Sequence, residues 1–203
     1  MKNKVPYLLL GCYLVIFGVF AISPYDRAVW WAENMPIVLL VAAVAWAQIF
    51  HAFTPLSYIF MAFLIVLHTI GGHFTFERVP FDYVTELFGF ERNHYDRLAH
   101  FSVGFYAYPI AEVLLKKRAV RSVLVLILFS VFSIFTVAGC YEVFEWVYSL
   151  YAESGAGTAV LGSQGDIWDP QKDILADGLG ALFSAGVFWW INRRELLRLK
   201  YVT

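Results

Sequence analysis

Ser122-Val-Leu-Val-Leu-Ile-Leu-Phe-Ser-Val-Phe-Ser-Ile-Phe-Thr-Val-Ala-Gly-Cys140-Tyr-Glu142-Val-Phe-Glu145-Trp-Val-Tyr148 carries no charge until Glu142. A helix of that length, rising about 1.5 Å per residue, outreaches the roughly 30 Å hydrocarbon core of a bilayer. The run therefore reads as a membrane-spanning helix, and the rest of the chain agrees. Of 203 residues, 60% are hydrophobic and 19% aromatic, and only 15% are charged. Soluble domains carry about 25% charge. So few charges cannot clothe a water-facing surface. A separate soluble domain, a secreted disulfide scaffold and a disordered chain are excluded on the same grounds.

Five further apolar segments flank this one. The fold class expected is all-α: a polytopic membrane helical bundle of about six transmembrane helices, forming a single integral membrane domain over 1–203. The spans read as 5–22, 36–53, 56–73, 96–115, 122–148 and 173–192, with longer outer connections at 74–93 and 152–172. Lys2 and Lys4 precede the first segment, as they would in a signal peptide. Its apolar stretch is long for that role and no small-x-small cleavage site follows, so it reads as an uncleaved span. Trp30 and Trp31 precede the second segment at the expected interface. Pro80 opens an expected short helix over 81–88, lying flat at the membrane surface.

Basic residues set the expected orientation. Lys2 and Lys4 lie before the first span, Lys116, Lys117, Arg118 and Arg121 between the fourth and fifth, and Arg193, Arg194, Arg198 and Lys200 after the sixth. With six spans all ten share one side, and the positive-inside rule makes both termini cytoplasmic. Apart from Glu112 and Glu195, the acids gather at the opposite, outer face. A net charge of −1 offers no basic surface to nucleic acid. Cys12 and Cys140 sit within apolar runs, and no CxxC spacing suggests a thiolate metal site. There is no GxSxG, Walker loop, HExxH or GxGxxG.

Depth singles out the candidate site. His100 lies one turn below Asp96, Asp177 one turn below Asp173, and Glu142 and Glu145 share a face near the outer end of their span. His68 lies between one and two turns below the outer end of the third span, beneath His73. Four helices thus bring ionisable residues into one layer, and charge inside a membrane is usually turned inward and partnered. Asp177, Asp173, Glu142, Glu145 and His100 are the candidate catalytic residues, with Asp96 in support. The same residues with His68 are candidate ligands for a divalent metal ion, the manner in which bundle metal sites are built. Without metal they would serve as general acid and base. Arg78, Arg92 and Arg97 are candidates to hold a phosphate. Structural alternatives stand beside each: an interfacial position for Glu142 and Glu145, an N-cap for Asp173, a satisfied core histidine for His68. Glu112 reads as reaching the cytoplasmic interface and is left out. The Asp166-x-x-Asp169-x-x-x-Asp173 run lacks EF-hand spacing, and Trp146 and Trp168 fit an aromatic belt.

The stretches His73-Phe-Thr-Phe-Glu-Arg-Val-Pro, Arg92-Asn-His-Tyr-Asp-Arg-Leu-Ala-His100-Phe and Gly165-Asp-Ile-Trp-Asp-Pro-Gln-Lys-Asp173 resemble the YjdF-type family of bacterial inner-membrane proteins. That resemblance implies a cytoplasmic-membrane location and no particular reaction. A looser similarity is to VanZ-like membrane proteins, in which a Glu-x-x-Gln pair and an Asp-x-x-x-Asn-x-x-Gly run lie on successive helices. Here Glu142, Glu145, Asp173, Asp177 and Gly180 would correspond, with Glu145 in place of Gln and Asp177 in place of Asn. Both departures add negative charge, which favours a cation.

The function expected is metal-assisted or acid–base chemistry on, or recognition of, a lipid or lipid-linked envelope component, with the lipid bilayer as the standing partner. A non-catalytic lipid-binding scaffold is the alternative, its acidic layer a structural ion-pair and hydrogen-bond network with Arg92, Arg97 and Lys172. A small ion-coupled transporter fits less well, because the polar residues stop in the outer half and no midplane set follows.

Overall fold

The computed structural model describes residues 4–152 and 154–199. Lys2 and Lys200, which enter the charge argument, lie outside them. No strand occurs among the described residues. The helices in order are α1 (Val5–Phe20), α2 (Arg27–Phe50), α3 (Pro55–Phe74), α4 (Asp82–Phe88), α5 (Tyr95–Val103), α6 (Ala107–Lys116), α7 (Val123–Tyr151), α8 (Ser154–Leu161) and α9 (Asp169–Leu199). A 3-10 turn, Gly104–Tyr106, joins α5 to α6 in one rod. By length and apolarity α2, α3, the α5–α6 rod, α7 and α9 can each cross a membrane. α1 has 16 residues, about 24 Å, and by itself falls short of a 30 Å core.

Caps explain where the helices depart from the apolar pattern. Asp26 accepts hydrogen bonds from the backbone N–H groups of Ala28 and Val29 at 2.7 and 2.9 Å. This N-cap starts α2 nine residues before Pro36, the expected first residue of the span. Trp30 is consequently buried beside Phe17 rather than waiting at an interface. α9 likewise starts at Asp169, so Asp173 stands one turn inside the helix and is not its N-cap. The 152–172 connection contains α8, and α4 begins just after Phe81.

The outer surface is apolar: Leu124, Phe132, Leu182 and Trp190 are all more than half exposed. Such residues suit a hydrocarbon solvent, while helical hydrogen bonding satisfies the backbone internally. α9 packs on α5, α6 and α7, and α3 packs on α1, α2, α5 and α6. Phe188, Leu126, Leu115 and Leu196 fill the core toward one end. The α5–α9 crossing is set by glycine. A Cβ on Gly104 would stand 2.2 Å from the Ala181 nitrogen, and one on Gly180 would stand 1.9 Å from the Phe101 carbonyl oxygen. Only small residues permit that approach. The Ser184 hydroxyl donates to the Gly104 carbonyl at 2.8 Å and locks the register.

Candidate functional site

Gly104 and Gly180 let α5 and α9 meet closely enough for His100 to reach Asp177. The imidazole Nδ1 and Asp177 Oδ2 are 3.2 Å apart. Its Nε2 lies 3.7 Å from both Asp96 Oδ1 and Asp173 Oδ1. One potential ligand atom from each of Asp96, His100 and Asp173 falls within 4.8 Å of the other two. Asp177 is completely buried, and its Oδ1 has no hydrogen-bond partner among the described residues.

A second polar group faces this one. Glu33 on α2, His68 on α3 and Tyr141 on α7 meet at one carboxylate oxygen. His68 Nε2 is 3.0 Å from Glu33 Oε2, and the Tyr141 hydroxyl donates to the same oxygen at 3.1 Å. Between the groups lies a cavity of about 220 Å³. Glu33, His68, Asp96, His100, Glu145 and Asp177 contribute polar wall, while Ile37, Leu40, Leu64, Val137 and Ala138 contribute apolar wall. Five helices and the end of α8 thus converge on one chamber. Glu142 does not line it, although its Oε1 is buried without a hydrogen-bond partner among the described residues.

The connections above the chamber are held by arginine. Arg92 donates to Asp169 Oδ1 at 2.7 Å and to the Ser163 carbonyl at 2.9 Å. Arg97 pairs closely with Asp169 and Asp173. Asn93 and Gln164 exchange hydrogen bonds between backbone and side chain, joining the two long connections. Both arginines are therefore committed to carboxylates, and neither lines the cavity. Arg78 lies apart, stacked 4.2 Å over the Tyr25 ring and paired with Glu77. Asp166, at the head of the Asp166-x-x-Asp169-x-x-x-Asp173 run, accepts from Lys172 at 2.5 Å and from the Trp168 backbone N–H at 3.0 Å. Lys172 and that N–H hold the Asp166 carboxyl below the usual carboxylate range. Burial, aided by Arg92 and Arg97, pushes the neighbouring His94 imidazole down.

Three residues that sequence reasoning passed over prove central to buried polar contacts. Glu33 and Tyr141 complete the His68 group, and the Asp26 cap was the signal that would have put Glu33 inside α2. Glu112, assigned to an interface, is only 3% exposed at the opposite end. It accepts from the Thr54 backbone N–H at 2.9 Å, the Thr54 hydroxyl at 2.7 Å and Lys116 at 2.5 Å, and it also bonds Ser57 closely. The Thr54-Pro55 start of α3, which has to satisfy its free N–H groups, was the available clue.

An all-helical bundle with an apolar exterior and a buried carboxylate–imidazole chamber defines an integral membrane protein. Its family follows from comparison: the chain belongs to the family described as "Predicted membrane protein (DUF2238)", which it matches over residues 5–194. It is similar to the inner membrane protein YjdF of Escherichia coli (strain K12), with 30% identity over 198 residues, 97% of this chain and 93% of that protein. No solved structure matches it.

Proposed function

We propose that the chamber binds a divalent metal ion and uses it, with neighbouring carboxylates, on a lipid or lipid-linked component of the cell envelope. Asp96, His100 through Nε2, and Asp173 are the ligands. Asp177 accepts from Nδ1–H of His100, fixing the tautomer that leaves Nε2 free, as partners of metal-bound histidines do. Metal there would polarise a phosphoryl or carbonyl oxygen or activate water. Glu145 moves the proton, with Glu142 held behind it on the same face of α7. Arg97 braces the Asp173 ligand, and Arg92 braces Asp169 beside it, instead of holding substrate. His68 belongs to the Glu33 and Tyr141 group rather than to the metal. The protein lies in the cytoplasmic membrane, as its relative's name indicates for that protein. α1 completes six spans with both termini cytoplasmic, which puts the chamber toward the outer face.

The observation that carries this reading is the convergence of three ligand atoms within 4.8 Å, beside the unpartnered Asp177 oxygen. The acidic departures from the VanZ-like pattern point the same way. The test is metal content by mass spectrometry on purified protein supplied with divalent ions, for wild type, His100→Ala and Asp177→Asn. Near-stoichiometric metal in wild type, lost in His100→Ala and bound about 10–100-fold more weakly in Asp177→Asn, is expected. Wild-type protein without metal would leave the non-catalytic lipid-binding scaffold, which the Arg92–Asp169–Arg97 bracing favours.

A further inference from the structure

The chamber's apolar wall has no role in holding a metal, and it opens sideways. α2 packs on α3 and α8, while α7 packs on α6, α8 and α9. The gap between α2 and α7 is bridged at Glu33 and Tyr141, whose hydrogen bond crosses it. Beyond that bridge the wall continues as Ile37, Leu40, Leu64 and Val137. Val137 lines the cavity and is nevertheless 57% exposed on the outside of the bundle. It stands midway along α7, 14 residues from Val123 and 14 from Tyr151, a helix of 29 residues. At about 1.5 Å per residue the mouth lies about 20 Å from either helix end, near the bilayer midplane. A mouth at that depth faces the hydrocarbon of the bilayer, which suits an apolar ligand at that opening.

We propose that this mouth is a lateral portal through which the hydrocarbon chain of a membrane lipid enters, its polar end lodged among Glu33, Asp96 and His100. A cavity of about 220 Å³ takes the polar end and the first methylenes, and the remainder of a chain must leave past Val137. Polar groups at one end and aliphatic groups at the other match an amphiphile in one orientation only. The Glu33–Tyr141 bond spans the gap as a latch on the polar side of the mouth. The seat of the polar end rests on the function proposed above. The entry of the chain does not.

The test uses full-length protein in phosphatidylethanolamine–phosphatidylglycerol nanodiscs containing a phosphatidylethanolamine, whose ammonium group suits the acidic lining, with a photoreactive diazirine in its acyl chain. Adducts are mapped by mass spectrometry after illumination. Leu64 is only 7% exposed, so bilayer lipid labels it only from within the cavity. Labelling at Leu64 is expected in wild type, at least tenfold weaker in Val137→Trp, and unchanged in Val143→Trp, which adds the same bulk at an exposed α7 position outside the cavity wall. Leu40→Trp repeats the block from the α2 side. Adducts confined to outward residues such as Leu128 and Leu182, or labelling at Leu64 that survives both blocking variants, would overturn the portal. Metal content is read on the same preparations. Leu64 labelling without metal upholds the portal and removes the metal, and metal without Leu64 labelling does the reverse.

Discussion

The two ends of the bundle treat buried carboxylates in opposite ways. At one end Glu112 stands alone and is saturated: the Thr54 backbone and hydroxyl, Ser57 and Lys116 all donate to it. It holds the Thr54 N-cap and Ser57 at the start of α3 from another helix, and it ties the α2–α3 turn to α6. At the other end Glu33, Asp96, Glu145 and Asp177 crowd one cavity with two imidazoles and a phenol, and no lysine or arginine lines it. Asp177 Oδ1 remains unpartnered among the described residues. A lone carboxylate with every lone pair occupied holds a fold together. Several carboxylates facing one another across an open space cost stability, and such an arrangement points to a ligand.

That contrast can be broken most forcefully at Glu112. Glu112→Ala strands the Thr54 N–H, Ser57 and Lys116, and should lower stability by about 3 kcal/mol. Thermal unfolding in detergent measures it. Metal bound per folded molecule should not change. If Glu112→Ala stripped metal and left the melting temperature alone, the roles assigned to the two ends would have to be exchanged.

The next effect tests what links the crossing to the chamber. Gly180→Ala puts a methyl group where the Phe101 carbonyl stands. Overpacking of this kind costs about 1–3 kcal/mol, and here it also separates His100 from Asp177. Both the melting temperature and the metal affinity should fall. In the folded fraction, loss of metal without loss of stability would indicate that the crossing yields more easily than its geometry implies.

The smallest effect sharpens the picture of the saturated end. His51 Nε2 stands 3.5 Å from Glu112 Oε1 in the turn between α2 and α3. Burial pushes its imidazole below the ordinary value, with Glu112 opposing. The unfolded chain therefore takes up a proton first as pH falls, and stability held above about pH 6.5 is lost below it. Melting temperatures of wild type should drop between pH 7.5 and 5.5 by slightly more than those of His51→Gln. Equal slopes would remove His51 from the account.

Much of this architecture was legible along the chain, unevenly. The apolar runs that became α3, α7 and α9 announced themselves, because a helix crossing hydrocarbon has to be apolar over most of its length. The i,i+4 pairs Asp96/His100 and Asp173/Asp177 were visible because helical periodicity puts them on one face. The start of α2 was missed because Arg27, Glu33 and Asn34 break the apolar pattern between the Asp26 cap and Pro36. Glu33 was missed with it. For Arg92 and Arg97 the chain leaves two readings, holding a phosphate or pairing with the acidic layer, since nothing local reveals that Asp169 and Asp173, more than 70 residues away, neutralise them.

The sequence by itself determined that this is a helical membrane protein with acids and histidines gathered in one layer, because hydropathy and helical period are local properties. Which of those residues face one another was decided by the tertiary structure alone. Contact across helices depends on where small residues let backbones approach, as Gly104 and Gly180 do, and on where packing leaves a gap, as between α2 and α7. Neither the crossing nor the gap belongs to any single segment, so neither could be read from one.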